Sequence, residues 1–167
     1  MSNFAATPFT LKNKQYASIE GFWQSLKYPE SEQDERHKIT NKWPFKRTDV
    51  EQMTAFEAMK AGKKANELMI KYHITWVSFA GEKIEFKTSP KDIEKHYHII
   101  EMATRAKIDQ NPEVKKVLLQ TENLTLRPDH HEDKDGTKAW RYYEIYMKLR
   151  EELKKNPNQR LLPKNWE

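Results

Sequence analysis

Glu20, Gln24 and Lys27 stand four and then three positions apart, the spacing that brings side chains onto one face of a helix. In a carboxylate, an amide and an ammonium grouped this way, the ammonium can compensate charge through a phosphate or another carboxylate. Near a helix amino end the same face can also hold an anionic oxygen. The pattern has a commoner use, because many helices show Glu, Gln and Lys to water for solubility alone. His96 and His98 are two positions apart on a predicted helix, so they face different ways and make a poor metal pair. His130 and His131, beside Glu132, Asp133 and Asp135, lack a third ligand at zinc-like spacing and are expected to form a hydrated polar loop. The chain has no cysteine, which excludes thiol nucleophiles, disulfides and cysteine metal sites. A glycine-rich phosphate loop, a Gly-x-Ser-x-Gly elbow and a His-Glu-x-x-His helix are all absent from it.

The elements that position these groups come from a chain of 167 residues, a length that fits one domain better than two. Apolar residues make up 37% and charged residues 33%, and 19 aromatic side chains supply enough buriable bulk for a core. No apolar run approaches the length of a membrane-spanning helix, and the amino end lacks the basic-then-apolar order of a secretory signal. The expected setting is the cytoplasm, with no membrane partner. The net charge of +5 is spread among alternating acids and bases, which reads as a solvated mixed surface more than as a nucleic-acid footprint.

Phe9, Leu11 and Tyr16 around Lys12-Asn13-Lys14 predict a hairpin over 8–17. Ser18 then precedes Ile19, Phe22, Trp23 and Leu26, an apolar stripe predicting a helix to about Tyr28, where Pro29 ends it. Residues 30–49 read as a short helix and an irregular link through Trp43-Pro44-Phe45. Thr54 to Glu57 has capping-box spacing before a helix carrying Phe56, Met59, Ala65, Leu68, Met69 and Tyr72, with Gly62 weakening its middle. Two short extended pieces between Trp76 and Phe86 bend at Gly81. Ser89-Pro90 and Asn111-Pro112 each combine a cap with a first-turn proline, opening a helix to about Ile108 and a shorter one after it. Leu124-Thr125-Leu126 alternates like a strand, and Trp140, Tyr143, Tyr146, Met147, Arg150 and Leu153 describe a final helix. The fold class expected is α+β: a mainly helical single domain over 1–155 with a few short strands. A tail over 156–167 either stays flexible or packs back through Leu161, Leu162 and Trp166.

Ser2-Asn3-Phe4, Pro8-Phe9 and Tyr16-x-Ser18-x-Glu20-x-x-x-Gln24-x-x-Lys27-Tyr28 together resemble the opening blocks of the NADAR family, also called YbiA-like. Lys107-x-x-Gln110-Asn111-Pro112, Leu118-Leu119-x-Thr121 and Met147-x-x-Arg150 resemble later family blocks in the same order, so the likeness spans roughly residues 2–150. It implies N-glycoside hydrolysis without a cofactor or metal, on phosphoribosylamino-pyrimidines or on ADP-ribose attached to guanine bases. By the same resemblance Glu20 and Asp129 are the catalytic carboxylates. Gln24, Lys27, Tyr28, Lys107, Arg127 and Trp140 are the substrate-binding residues. The implied partner is a phosphoribosyl or ADP-ribosyl small molecule, with modified nucleic acid as a further option. The sequence departs from the family pattern at Gly21, where a His is usual, and at Glu122, where a Gly is usual. The late Trp-Gly and Gly-x-Asn features are not intact, and the family's Asp-Trp pair has only Asp92-Ile93 near it.

Two other classes of function stay open at this level. One is a catalytically inactive nucleotide-binding or interaction module on the same fold. The other is nucleic-acid binding through Lys12, Lys14, Lys42, Lys46, Arg47, Lys63 and Lys64, with Trp43 and Phe45 as stacking groups. The His130 to Asp135 cluster is expected to hold no structural zinc. Metal analysis of the purified protein should find far less than one zinc per chain, and a chelator should leave the unfolding midpoint unchanged.

Overall fold

A computed structural model describes residues 2–86, 88–127 and 141–167. The amino-terminal hairpin forms from β1 (Phe9–Leu11) and β2 (Lys14–Tyr16), paired antiparallel with Phe9 opposite Tyr16. Lys12 and Asn13 at its tip both have positive φ, 51° and 60°, as a two-residue turn matched to strand twist requires. Helix α1 (Ile19–Ser25) follows, and Ser18 serves it twice: Oγ accepts from Gly21 N at 2.9 Å and donates to Met53 O at 2.9 Å. The predicted continuation to Tyr28 is a tighter turn, with Lys27 N and Tyr28 N donating to the carbonyls three residues back.

Two short helices, α2 (Glu35–Ile39) and α3 (Arg47–Glu51), lead into α4 (Ala55–Lys71). The sequence reading does not anticipate α3. Thr54 occupies the N-cap of α4 but makes no side-chain capping bond there. The apolar stripe of α4 also differs from expectation, since Phe56 is 71% and Met59 44% exposed. Its buried face is Ala58, Ala61, Gly62, Ala65 and Met69. Small residues win that face because α1 approaches closely, and large side chains would hold the two helices apart.

A second hairpin, β3 (Val77–Phe79) with β4 (Glu82–Ile84), turns through Ala80 and Gly81 at φ 51° and 79°. Helix α5 (Pro90–Gln110) begins at Ser89, whose Oγ accepts from Asp92 N, and its buried residues include Ile99, Ile100, Ala103, Ala106 and Ile108. The hairpins, α1, α6 (Pro112–Gln120) and α7 (Tyr142–Lys155) all pack against α5. Asn111 makes no side-chain capping bond to α6; its Nδ2 donates instead to Lys107 O in the last turn of α5 and to Pro8 O, tying α5 to the lead-in of β1. Leu124-Thr125-Leu126 is irregular, not a strand: Arg150 Nη1 donates to Leu124 O, and Leu124 is 67% exposed.

The last dozen residues pack back. Leu161 and Leu162 are buried in the main core, their amides donate to the Asp109 carboxylate, and Trp166 stacks on Phe79. Gly21 is helical and buried, and a Cβ on it would lie 3.0 Å from Val50 O and closer still to Met53 O. Its reason is therefore the close approach of α1 to the end of α3, which leaves no room for the His of the resembling family. Glu122 holds φ 45°, a left-handed conformation that strains any residue with a Cβ. Glu122→Gly should stabilise the fold by up to about 1 kcal/mol, seen as a rise of about 2–4 °C in the calorimetric Tm.

Candidate functional site

The polar face on α1 is not displayed to water. Gln24 is 8% and Lys27 5% exposed, and Glu20 is half-buried, so the face is packed inside the protein rather than turned to water. Gln24 Nε2 donates to Glu20 Oε1 at 2.8 Å. Burial raises the Glu20 carboxyl above its ordinary value, while the Gln24 hydrogen bond and the positive charge of Lys27 pull the other way. Glu20, Gln24 and Lys27 share one helix face, as their spacing predicts, with Phe22 and Leu26 fully buried. Trp23 is only half-buried.

Two further elements close on this unit. The segment before β1 crosses the start of α1, where Glu20 N donates to Asn3 O at 3.0 Å. One residue earlier, Ser2 O accepts from Lys107 Nζ at 2.9 Å. Lys107 is fully buried, and that burial brings it down to about 8. The Asn3 side-chain oxygen is buried without a hydrogen-bond donor among the described residues. On the α5 side His96, 2% exposed, lies against Trp23 and Phe86 with ring centroids 4.2 and 4.9 Å away. Burial, and secondarily Lys27, lower it to about 3, so its imidazole is neutral at any ordinary pH. His98 faces out against the edge of Trp166, as the two-residue spacing implies.

The remaining sequence-predicted residues are scattered by comparison. Tyr28 is fully buried and its hydroxyl donates to Ala61 O at 2.8 Å, which fastens the end of α1 to α4. Arg127 is exposed. Asp129, Trp140 and the His130 to Asp135 cluster lie outside the described residues. Among the described residues no three metal-ligating His, Asp or Glu groups converge. Cavities of about 550 Å³ on α6 and about 280 Å³ beside Glu30, Asp34, Trp76 and Lys83 do not include Glu20, Gln24 or Lys27. The candidate site thus rests on its chemistry and not on cavity volume. The basic set proposed for nucleic acid loses Arg47, which is buried against Glu30, Glu51 and Ser78, while Trp43 and Phe45 pack on Tyr28.

Sequence reasoning missed the roles of Asn3 and His96 beside α1. Asn3 stands inside a block quoted for the resemblance, and that was its only signal. His96 offered none, since a histidine on a helix does not announce which ring it stacks on.

Neither a protein-family model nor a curated protein matches the chain. Among solved structures, the NMR structure of the E. coli protein YbiA is similar, with 22% identity and a TM-score of 0.54 over 93% of this chain and 78% of that one. The chain therefore has a YbiA-like fold, α+β and mainly helical, as the sequence resemblance implies. No helix among the described residues is long and apolar enough to cross a membrane.

His96 also generates a stability signature. In the unfolded chain its value is near 6.5, and in the folded one about 3, so below 6.5 the unfolded state takes up a proton that the native state refuses. Stability falls as pH drops from about 6.5 towards 3. Urea titrations at stepped pH should show this slope, and His96→Phe, which keeps a ring between Trp23 and Phe86, should flatten it.

Proposed function

We propose that the chain is an N-glycosidase that hydrolyses the bond between ribose C1 and a base nitrogen in a phosphate-bearing riboside. The observation that carries the reading is the Glu20 carboxylate, half-buried in the first turn of α1, hydrogen-bonded by Gln24 and within the field of Lys27. The YbiA-like fold supports it together with the sequence blocks that resemble the NADAR family.

Departure of the base leaves positive charge on C1. An ionised Glu20 stabilises that charge or takes a proton from the attacking water, whose oxygen bonds to C1 while the leaving nitrogen gains a proton. Lys27 favours the ionised form of Glu20 against the burial that opposes it. The same ammonium can meet a substrate phosphate, and Gln24 holds the carboxylate in one orientation. Asp129 is the second carboxylate of this reading, and Arg127 and Trp140 are its phosphate and ring contacts. An ADP-ribosylated nucleobase or nucleic acid is one substrate option, and a phosphoribosylamino-pyrimidine is another. No step needs a metal or cofactor.

The test is a screen for released ribose 5-phosphate or ADP-ribose across these substrates. Glu20→Gln should lower kcat by about 10²–10⁴ with little change in KM. Wild-type activity should fall on the acid side through a midpoint above the ordinary carboxylate value, because Glu20 works ionised and its burial raises it. A Glu20→Gln enzyme that turns over at the wild-type rate removes Glu20 from the chemistry. A wild-type chain that binds ADP-ribose but releases nothing from any of these substrates is instead an inactive binding module.

A further inference from the structure

Gly62 sits in the middle of α4, where its composition alone reads as a weak point. Its surroundings give it a different meaning. A Cβ built on Gly62 would overlap Oε1 and Cδ of Gln24 and lie 2.9 Å from its Cγ. The Gln24 side chain therefore occupies the volume that any other residue at position 62 would fill. Within that seat Oε1 is buried with no hydrogen-bond donor among the described residues, while Nε2 donates to Glu20 Oε1 at 2.8 Å.

An unpaired buried carbonyl oxygen is costly and calls for a reason. Here the oxygen occupies the place where a Cβ on Gly62 would stand. Turning the amide over would set its oxygen against the Glu20 carboxylate, oxygen to oxygen, and would repel it. The amide thus has one stable orientation, and that orientation offers an N–H to Glu20.

We propose that Gly62 is a positioning residue: its missing side chain seats the Gln24 amide, and the seated amide fixes the Glu20 carboxylate. The role rests on the reading of Glu20 as the catalytic carboxylate. It acts entirely through Gln24, so it makes a prediction that a general packing role does not. Gly62→Ala should displace only the far end of a flexible side chain, and alanine is the better helix former. The variant should fold, the overpacking at the α1–α4 contact being offset in part by alanine's helix propensity, while losing the Gln24 to Glu20 hydrogen bond.

The deciding measurement is the titration of the Glu20 side-chain carboxyl carbon by NMR in protein labelled at glutamate. Gly62→Ala should move its midpoint upward, because the Gln24 bond is one of the two influences that hold it down. Gln24→Ala should move it by the same amount, and the double variant no further. Where substrate is cleaved, the acid limb of kcat/KM should follow the same three shifts, with a loss of about tenfold at neutral pH. A folded Gly62→Ala protein with an unmoved Glu20 midpoint overturns the proposal, as does a double variant in which the two shifts add. If Gly62→Ala fails to fold, the double variant with Gln24→Ala has the clash removed; its folding upholds the contact, and its failure overturns the proposal. The titration needs no substrate. A chain that cleaves no riboside therefore sinks the glycosidase reading, and the midpoints still decide whether Gly62 positions Glu20.

Discussion

Two arginines meet on one serine at the C-terminal end of α1. Arg36 Nη2 and Arg47 Nη1 both donate to Ser78 Oγ, Arg36 Nη1 donates to Leu26 O, and Arg47 Nη1 donates to Tyr28 O. Arg36 is fully buried with Asp34 as its ion-pair partner and its guanidinium over Trp76; Arg47 is 6% exposed with Glu30 and Glu51. The last carbonyls of a helix carry its negative end, and two cations placed there complement it. Arg47 also donates to Ser78 O, so one pair of side chains ties α1, the α2 lead-in, α3 and β3 together. Removing one partner from such a buried set costs about 3–5 kcal/mol, because the charge left behind has no water to turn to.

With its C-terminal end pinned by guanidinium groups, α1 cannot move away from its neighbours, and the contacts along its length become exacting. Gly21 admits the carbonyls of Val50 and Met53 on one side, and Gly62 admits Gln24 on another. Tyr28 OH reaches Ala61 O across the same α1–α4 contact. Close packing of this kind tolerates little change in volume. It explains why the buried face of α4 opposite α1 is mostly alanine and glycine, with Met69 near its far end, while its phenylalanine is left on the surface.

The same closeness sets the electrostatics around Glu20. Glu20, His96 and Lys107 are each pushed by burial toward their neutral forms. Lys27 works against this at Glu20 and with it at His96. An ionised carboxylate in such a place is held by its partners more than by solvent. On the proposed reading it would act on a developing positive charge where little water intervenes, which is where a fixed charge acts most strongly.

The sequence by itself determined the local elements: the hairpin around Asn13, the start of α1 at Ser18, the start of α5 at Ser89-Pro90 and the turn at Gly81 all follow from residues that are neighbours in the chain. It also placed Glu20, Gln24 and Lys27 on one face, because helical spacing is a local property. Whether that face met water or protein was undetermined, and only the tertiary structure decided it. Burial of Gln24 and Lys27 depends on α3, α4 and α5 converging on α1, and no stretch of sequence encodes a convergence by itself. The reversed stripe on α4, the loss of a strand at Leu124 and the return of Leu161 and Leu162 to the core have the same cause. Each depends on a partner distant in sequence, Gln24, Arg150 and Asp109 respectively, and the energy of a contact exists only once both sides have arrived.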